Sequence, residues 1–309
     1  MPAHAIVALV GATASGKSGL SLDLAEQLGG EVVNTDAMQV YRGMDVGTAK
    51  LPVAERRGIA HHLLDALDIT ELATVAHFQG WARAAIADIR DRGATPILVG
   101  GSALYTRAII DRFEFPGTDE SLRRELEAEL ERIGGQALHD RLAGVDPAAA
   151  AQISPDNARR TVRALEVIAL TGRPYGAGMP RLEYADPLTV QIGVDIDRPT
   201  LDERIARRVE EMFAAGFVEE VEALLARGLA EGPTAQRAIG YREVIGFLTG
   251  DRTRVEAIEQ TKAATRRFAR RQDGWFRKDP RIVWVSYDDP DRVATALRAV
   301  RAMVEAVAG

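Results

Sequence analysis

Residues 11–18 carry the first chemically specific pattern in the chain, with two glycines, a lysine and a hydroxyl at fixed spacing. They read Gly-Ala-Thr-Ala-Ser-Gly-Lys-Ser, which matches G-x-x-x-x-G-K-[ST] in full. Gly11 and Gly16 let the backbone curl so that successive N–H groups converge on phosphate oxygens. Lys17 supplies a charge for the terminal phosphate, and Ser18 offers a hydroxyl to Mg²⁺. The pattern therefore predicts a phosphate site, with ATP as the default ligand.

The sequence around this loop supplies the elements that must hold it. Residues 5–10 form an apolar run of strand length, and Leu20, Leu24 and Leu28 follow the loop at helical spacing. Strand-like and helix-like segments continue to alternate up to about residue 110, which is typical of a parallel α/β sheet. Further strands are predicted at 31–34, 62–65, 96–101, 188–194 and 281–285, and helices at 75–92, 201–227 and 252–276.

The chain divides into a core and an insertion by its composition. We predict an α/β fold class, namely a P-loop NTPase-like parallel sheet core flanked by helices, built from residues 1–114 and 191–309. Residues 115–190 are rich in Glu and Arg and are predicted to form a mainly helical insertion domain. There is no cysteine, no apolar run of membrane-span length and no signal-peptide pattern. We therefore expect a cytoplasmic, monomeric enzyme that makes no membrane contact.

Three polar segments follow predicted strands, at 11–18, 34–39 and 100–102. Ligands of open α/β sheets bind beyond the carboxyl ends of the strands, so these segments are expected at one edge. In the third segment, two glycines precede Ser102. They either form a simple turn or allow the backbone and Ser102 to approach a ligand closely, and the sequence leaves both interpretations open.

Asp36 stands just beyond the second predicted strand, in a position suited to magnesium contact or general-base chemistry. A lone aspartate after a strand is more often a turn or helix-cap residue. Gln39 and Tyr41 favour the chemical interpretation, because an amide and an aromatic ring are the groups that read and stack a base. Asp65 and Asp195 also follow apolar runs, as a metal-holding aspartate would, and neither can be assigned.

Arginines recur at helical spacing in the second half of the chain. Like charges at i, i+4 destabilise a helix by roughly a few tenths of a kcal/mol per pair, so a bound anion would explain them. Local basic patches of this kind outweigh the net charge of −6 as an indication of a polyanionic partner. The pairs are Arg204/Arg208, Arg266/Arg270 and Arg267/Arg271, and another helical segment opens with Arg159, Arg160 and Arg163.

Taken together, these segments make the chain resemble the tRNA dimethylallyltransferase (tRNA isopentenyltransferase) family almost from end to end. The phosphate loop is common to many families, whereas the ordered set of motifs is specific. The matching segments are 11–18, 34–42, 47–50, 61–65, 99–105, 160–167, 238–242 and 270–277.

The resemblance implies transfer of a dimethylallyl group from its diphosphate to the exocyclic amine of the adenosine 3′-adjacent to the anticodon. The expected partners are therefore dimethylallyl diphosphate and a tRNA anticodon stem-loop, with Mg²⁺ held through Ser18 as cofactor. Asp36 would take the amine proton, Lys17 would neutralise the departing diphosphate, and Thr13 would lie near the substrate.

The resemblance also implies two larger sets of binding residues. The diphosphate set is Gly11, Ala12, Thr13, Ala14, Ser15, Gly16, Lys17 and Ser18, with either Arg204 or Arg208. The tRNA-facing set is Asp36, Ala37, Met38, Gln39, Ser102, Arg159, Arg160, Arg163, Arg237, Gly240, Tyr241, Arg242, Arg270, Arg271, Gln272, Trp275 and Arg277.

A few positions depart from the common family pattern, and one other enzyme class competes on the residues. Ala12 replaces the usual Pro, Arg159 a Gln, and Ser18 and Ser102 each replace a Thr while keeping its hydroxyl. The phosphate loop by itself would equally suit a small-molecule or nucleoside kinase that uses ATP. A kinase does not account for the late arginine segment, and a regulatory phosphate-loop protein would need a clear second Asp motif. The resemblance therefore favours the transferase.

Overall fold

Six parallel strands form the centre of the molecule, in the spatial order β3-β2-β4-β1-β5-β6. The computed structural model describes residues 5–113, 115–175 and 182–308. Every neighbouring pair in the sheet is parallel, which confirms the predicted α/β core flanked by helices. The strands are β1 (Ile6–Val10), β2 (Gly30–Asn34), β3 (His61–His62), β4 (Thr95–Val99), β5 (Thr189–Asp195) and β6 (Ile282–Ser286).

Helices connect the strands and cover the sheet, while others form a separate group. Those before β5 are α1 (Lys17–Leu28), α2 (Val75–Asp91), α3 (Ala103–Ile110), α4 (Glu120–Ile133), α5 (Gly135–Val145), α6 (Pro147–Gln152) and α7 (Ala158–Thr171). Those after β5 are α8 (Arg198–Ala214), α9 (Phe217–Leu225), α10 (Tyr241–Leu248), α11 (Arg254–Phe276) and α12 (Arg292–Ala308). Among the described residues, no helix combines the length and apolar character needed to cross a membrane.

The residues fall into two compact units, each with its own core. The sheet unit comprises Met1–Ile110 and Asp186–Gly309, and the helical unit comprises Asp111–Ala185. These divisions lie four or five residues before the predicted ones at 114/115 and 190/191. The core of the helical unit, made by α4 to α7, includes Leu126, Leu138, Leu142, Val162 and Leu165.

The core of the sheet unit explains why the first strand and helix form where the sequence predicts them. All five residues of β1 are buried, as expected for a strand covered on both faces. Leu20 and Leu24, one helical turn apart, place one side of α1 against Val7 and Leu9 in the same core cluster. This packing fixes the end of β1 relative to the start of α1, and the glycine-containing loop spans the gap.

Two predicted elements differ from the structure because the backbone turns into the left-handed region. The strand predicted at 62–65 stops at His62, since Leu63 and Asp65 have φ values of +62° and +56°. The helix predicted at 201–227 is two helices, α8 and α9, separated at Gly216 with φ +96°. A residue without a Cβ adopts that value at little cost, so the glycine both ends one helix and starts the next. Neither α10 nor α12 was predicted from the sequence.

Candidate active site

The phosphate loop has the backbone geometry that its glycines predict. Gly11 and Gly16 have φ values of +137° and +102°, and Ala14 between them lies at +63°. A Cβ on Gly11 would stand 3.1 Å from the carbonyl oxygen of Val194 on β5. Gly16 is the N-cap of α1 and supplies no side-chain cap, so the first N–H groups of that helix remain available to an anion.

Small side chains let two later helices pack directly behind this loop. Ala12 and Ala14 lie in one apolar cluster with Leu201 and Ile205 of α8 and Ala269 of α11. The loop is therefore backed by helices that begin much later in the chain, at Arg198 and Arg254. Side chains from α8 and α11 can reach the ligand position only because this packing brings both helices to the loop.

Lys17 is buried within the loop, and its charge is correspondingly costly. Its Nζ donates a hydrogen bond of 2.6 Å to the carbonyl oxygen of Ala12. Burial, and secondarily the charge of Arg208, lower the pKa of Lys17 from 10.5 to about 7, while the charge of Asp36 acts in the opposite direction. A fraction of this side chain is thus neutral at pH 7 without a ligand. An anion in the loop would restore the full charge.

Both arginines predicted for the diphosphate face the loop from α8. Arg208 donates from Nη1 to Thr13 Oγ1 at 3.3 Å, and its pKa is lowered by burial. The terminal nitrogens of Arg204 lie 3.9 Å from the position that a Cβ on Gly16 would take. Nη1 of Arg204 and Oγ of Ser15 are buried without a hydrogen-bond partner in the described structure. An anion bound in the loop would supply the partners that these buried donors lack.

Asp36 makes the turn contact that the sequence left open and keeps one carboxylate oxygen free. Its Oδ1 accepts a hydrogen bond of 2.9 Å from the N–H of Met38, which is a turn contact. Its own N–H donates to Asn34 Oδ1 at 2.8 Å, so the residue is held on both sides. No hydrogen bond to Oδ2 is recorded among the described residues. The charge of Asp36 is close enough to oppose the lowering of the Lys17 and Arg208 pKa values. A fixed carboxylate with a free oxygen thus lies near the cationic loop.

A small, solvent-open cavity adjoins Ser18 at this edge of the sheet. Gln39 lies in its wall, and the side-chain Nε2 of Gln39 donates to the carbonyl oxygens of Thr48 and Ala49 at 3.1 Å and 3.4 Å. The amide orientation of Gln39 is therefore fixed by the backbone of a neighbouring loop. Apolar surface in the cavity comes from Val32, Ala49, Leu51, Leu64 and Val99.

The two glycines after β4 are required by neighbouring protein atoms. A Cβ on Gly100 would lie 2.1 Å from Thr35 Oγ1, and one on Gly101 would lie 2.1 Å from Gln272 Nε2. Close packing of β2 and α11 against this turn thus explains the pair without a ligand. Ser102 immediately precedes α3, and its Oγ accepts a hydrogen bond from the N–H of Tyr105 at 3.4 Å.

Two residues predicted to contact tRNA, Tyr241 and Gln272, have buried side chains. Tyr241 is completely buried, and its hydroxyl donates to Glu220 Oε1 at 2.6 Å, so it has no surface to offer an RNA. Burial and the neighbouring Glu220 carboxylate raise the pKa of Tyr241 far above its usual value. Gln272 is also buried, with both ends of its amide bonded inside the protein. In each case a polar residue in a basic segment points inward.

Glu220 is a structural residue that the sequence analysis missed. Its carboxylate accepts the N–H groups of Asp45, Val46 and Gly47 at 2.6–3.1 Å, in addition to the Tyr241 hydroxyl. It thereby fixes the loop whose carbonyl oxygens hold Gln39. No local pattern identifies it, because its backbone partners lie more than 170 residues earlier in the chain.

The remaining predicted cations divide into engaged and exposed groups. Arg277 pairs with Asp195 and Asp273 and stacks 4.0 Å from the Trp284 ring centroid. In the helical unit, Arg163 bonds Glu166 and the carbonyl oxygens of Pro116 and Gly117. The exposed side chains, whose tRNA contacts stay predictions, are Arg159, Arg160, Arg237, Arg242, Arg270, Arg271 and Trp275. Ala37 and Met38 are half-buried, and Gly240 is buried.

Two aspartates that the sequence left open as metal ligands have cationic partners instead. Asp65 bonds the buried Lys50 Nζ at 2.6 Å, and Asp195 is the partner of Arg277. The described part of the chain holds no group of three or more His, Cys, Asp or Glu side chains that could bind a metal ion.

The fold and the site define the class of this protein as a phosphate-loop α/β protein whose loop is faced by two arginines of a later helix. The model of the family described as IPP transferase matches residues 39–279. The chain belongs to this family.

Individual relatives agree with this assignment over nearly the whole chain. A tRNA dimethylallyltransferase from Nocardioides sp. is 70% identical over 300 residues, covering 97% of both proteins. One from Salinispora arenicola is 57% identical over 304 residues, covering 97% of this chain and 87% of the relative.

Solved structures show the same similarity. The full-length tRNA isopentenylpyrophosphate transferase from Bacillus halodurans superposes with a TM-score of 0.73 at 40% identity, covering 99% of this chain and 100% of that one. A eukaryotic dimethylallyltransferase described as acting on tRNA has a TM-score of 0.83 at 27% identity, covering 98% of this chain and 79% of that one.

Proposed function

We propose that this protein is a tRNA dimethylallyltransferase, which moves a dimethylallyl group from dimethylallyl diphosphate to the exocyclic amine of an adenosine beside the anticodon. Family membership and the similarity to tRNA dimethylallyltransferases support this function over the kinase alternative. The observation that carries it is the site itself. Lys17 lies in the phosphate loop, and Arg204 and Arg208 face it. The Asp36 carboxylate lies near these cations.

The reaction changes the charge on two groups, the leaving diphosphate and the amine nitrogen. As the allylic C–O bond breaks, negative charge grows on the diphosphate, and the loop N–H groups, Lys17 and the arginines stabilise it. The amine nitrogen forms the new C–N bond and releases one proton, which the free oxygen of Asp36 accepts. The cavity beside Ser18 offers apolar surface to the five-carbon group.

The donor set around the loop suits one type of metal ion. Mg²⁺ usually keeps several waters and takes few protein ligands besides substrate phosphates. Ser18 is exposed in the first turn of α1, where its hydroxyl can act as such a ligand, and no multi-carboxylate cage is found in the described residues. Ser18 would therefore hold a Mg²⁺ bound mainly by diphosphate and water. When bound, the ion neutralises charge on the leaving group.

The function is tested by incubating the protein with unmodified tRNA, dimethylallyl diphosphate and Mg²⁺. Nucleoside mass spectrometry should detect isopentenyladenosine, and replacing the anticodon-adjacent adenosine by guanosine should abolish it, because guanine lacks the amine at that position. ATP is added in a parallel incubation, and its consumption without any prenylated nucleoside in either reaction would refute the proposal in favour of the kinase.

Diphosphate binding should be coupled to proton uptake by Lys17. Its pKa is about 7 in the free protein, and a bound diphosphate raises it, so at pH 8 the mostly neutral amine takes up close to one proton. Affinity for inorganic diphosphate should accordingly fall as the pH rises above 7. Calorimetry in two buffers with different ionisation enthalpies measures the uptake. The same titration of Lys17→Met corrects for protons taken up by the ligand, and equal uptake in both proteins would contradict the assignment.

Arg270 and Arg271 are expected to contact RNA phosphates from the exposed side of α11. Among the described residues, the one ion pair of Arg270 is long, 3.8 Å from Asp202, and the side chain is 53% exposed, so an RNA phosphate can compete for it. Replacing both by alanine should weaken tRNA binding and reduce the slope of log K against log salt by about one per lost contact. Filter binding at several salt concentrations measures this slope. Arg112→Ala, an exposed arginine paired with Glu183, is the control.

A further inference from the structure

Gln272 joins the phosphate loop to the turn after β4. Its Oε1 accepts the N–H of Thr13 at 2.8 Å, and its Nε2 donates to the carbonyl oxygen of Gly101 at 2.9 Å. The side chain is 5% exposed, so these bonds are shielded from water. Both bonds are to backbone groups, and each spans more than 170 residues of sequence.

The amide is held in place by its neighbours on the same face of α11. Ala269, one turn earlier, packs against Ala12 of the loop, and Phe276, one turn later, packs with Val10 and Ala103. Gly101 approaches so closely that a Cβ there would stand 2.1 Å from Gln272 Nε2. The bridge therefore depends on two features. Packing one turn before and one turn after Gln272 fixes α11, and the lack of a side chain at Gly101 leaves room for the amide.

Thr13 connects the Gln272 bridge to the Arg208 side chain. Its backbone is fixed by Gln272, and its Oγ1 accepts a hydrogen bond from Arg208 Nη1 at 3.3 Å. Among the described residues, that hydroxyl is the only recorded hydrogen-bond partner of Arg208. The direction of the Arg208 guanidinium thus depends on where Thr13 stands.

We propose that Gln272 is a positioning residue for the diphosphate site, acting through Thr13 on the loop and on Arg208. Because the Thr13 N–H donates to the Gln272 amide, it is not available to the ligand. The same bond holds the Thr13 hydroxyl where Arg208 can donate to it. This inference rests on the proposed function, because it takes the ligand of the loop to be a diphosphate. On this proposal Gln272 acts on the binding of dimethylallyl diphosphate, although it lies within a segment expected to face tRNA.

Two variants break the same bridge from opposite ends. Gln272→Met keeps the length of the side chain and removes both polar groups, whereas Gly101→Ala keeps the amide and pushes it away. Each should weaken inorganic diphosphate binding about tenfold in calorimetry, as expected if the displaced Arg208 loses one hydrogen bond to the ligand. The double variant should be no weaker than the single ones, because they remove one shared contact. Gly80→Ala, whose added Cβ meets open space on α2, is the matched control.

Steady-state kinetics separates positioning from general damage. In both variants KM for dimethylallyl diphosphate should rise about tenfold while KM for tRNA stays within about twofold, a split that a loosened fold would not produce. A second measurement needs no variant. In wild-type protein, the Thr13 amide resonance should change little on titration with inorganic diphosphate, whereas those of Gly16 and Lys17 shift strongly.

The experiments distinguish failure of the proposed function from failure of the positioning role. Wild-type protein that fails to bind inorganic diphosphate would overturn the proposed function itself. Normal wild-type binding with unchanged affinity in Gln272→Met, additive losses in the double variant, or a strong shift of the Thr13 amide would overturn the positioning role.

Discussion

Asp36→Asn should lower the turnover of dimethylallyl transfer by about two to four orders of magnitude, the usual contribution of a positioned general base. An asparagine oxygen can still accept the N–H of Met38, and the backbone bond to Asn34 is unaffected. The turn should therefore persist while the ability to accept a proton is lost. Single-turnover rates with saturating tRNA and donor measure the effect, and filter binding should show nearly unchanged tRNA affinity.

Asp88→Asn provides a matched control for this substitution. Asp88 is exposed on α2 and pairs with Arg92 four residues later, so the change removes the same charge from the protein without touching the site. Its turnover should match that of the wild type. A rate for Asp36→Asn within a factor of about ten of the wild type would exclude the residue as the base.

Lys17→Met should reduce kcat/KM for the allylic diphosphate by about two to three orders of magnitude, as loss of one preorganised charge contact to a developing anion does. The same substitution should leave the Tm unchanged or raise it. Burial depresses the pKa of Lys17 to about 7, which shows that the folded protein disfavours the charged amine. Methionine occupies similar space without that cost. Activity and stability are thus expected to move in opposite directions.

Lys262→Met should show the reverse pattern. Lys262 is also largely buried, but its Nζ bonds Glu210 and Glu259 at 2.7 Å and 2.8 Å, and these carboxylates raise its pKa. Removing this favourably placed charge should lower the Tm and leave transfer at the wild-type rate. Differential scanning calorimetry and the transfer assay measure both properties. A stability loss in Lys17→Met as large as that in Lys262→Met would contradict the burial argument.

Part of the candidate site could be predicted from the sequence because its causes are local. The loop depends on residues that follow one another within eight positions, so glycine spacing determines its φ values and the lysine determines its charge. Asp36 is placed at the same edge by a rule of the fold, since parallel strands end on one side of the sheet. The strand, loop and helix of the first 28 residues were likewise set by short-range periodicity.

Only the tertiary structure decided which residues in the basic segments face the ligand, the core or the solvent. Gln272 lies between the exposed residues Arg271 and Trp275, yet it bridges Thr13 and Gly101, and Tyr241 points inward to Glu220 beside the exposed Arg242. Helical spacing gives the relative directions of the side chains on a helix, but it does not show which other segment each side chain contacts. That partner is chosen by long-range packing of α8, α9 and α11 against segments that lie about 200 residues earlier in the chain. The sequence by itself therefore determined the loop and its chemistry, and packing determined the side chains that position it.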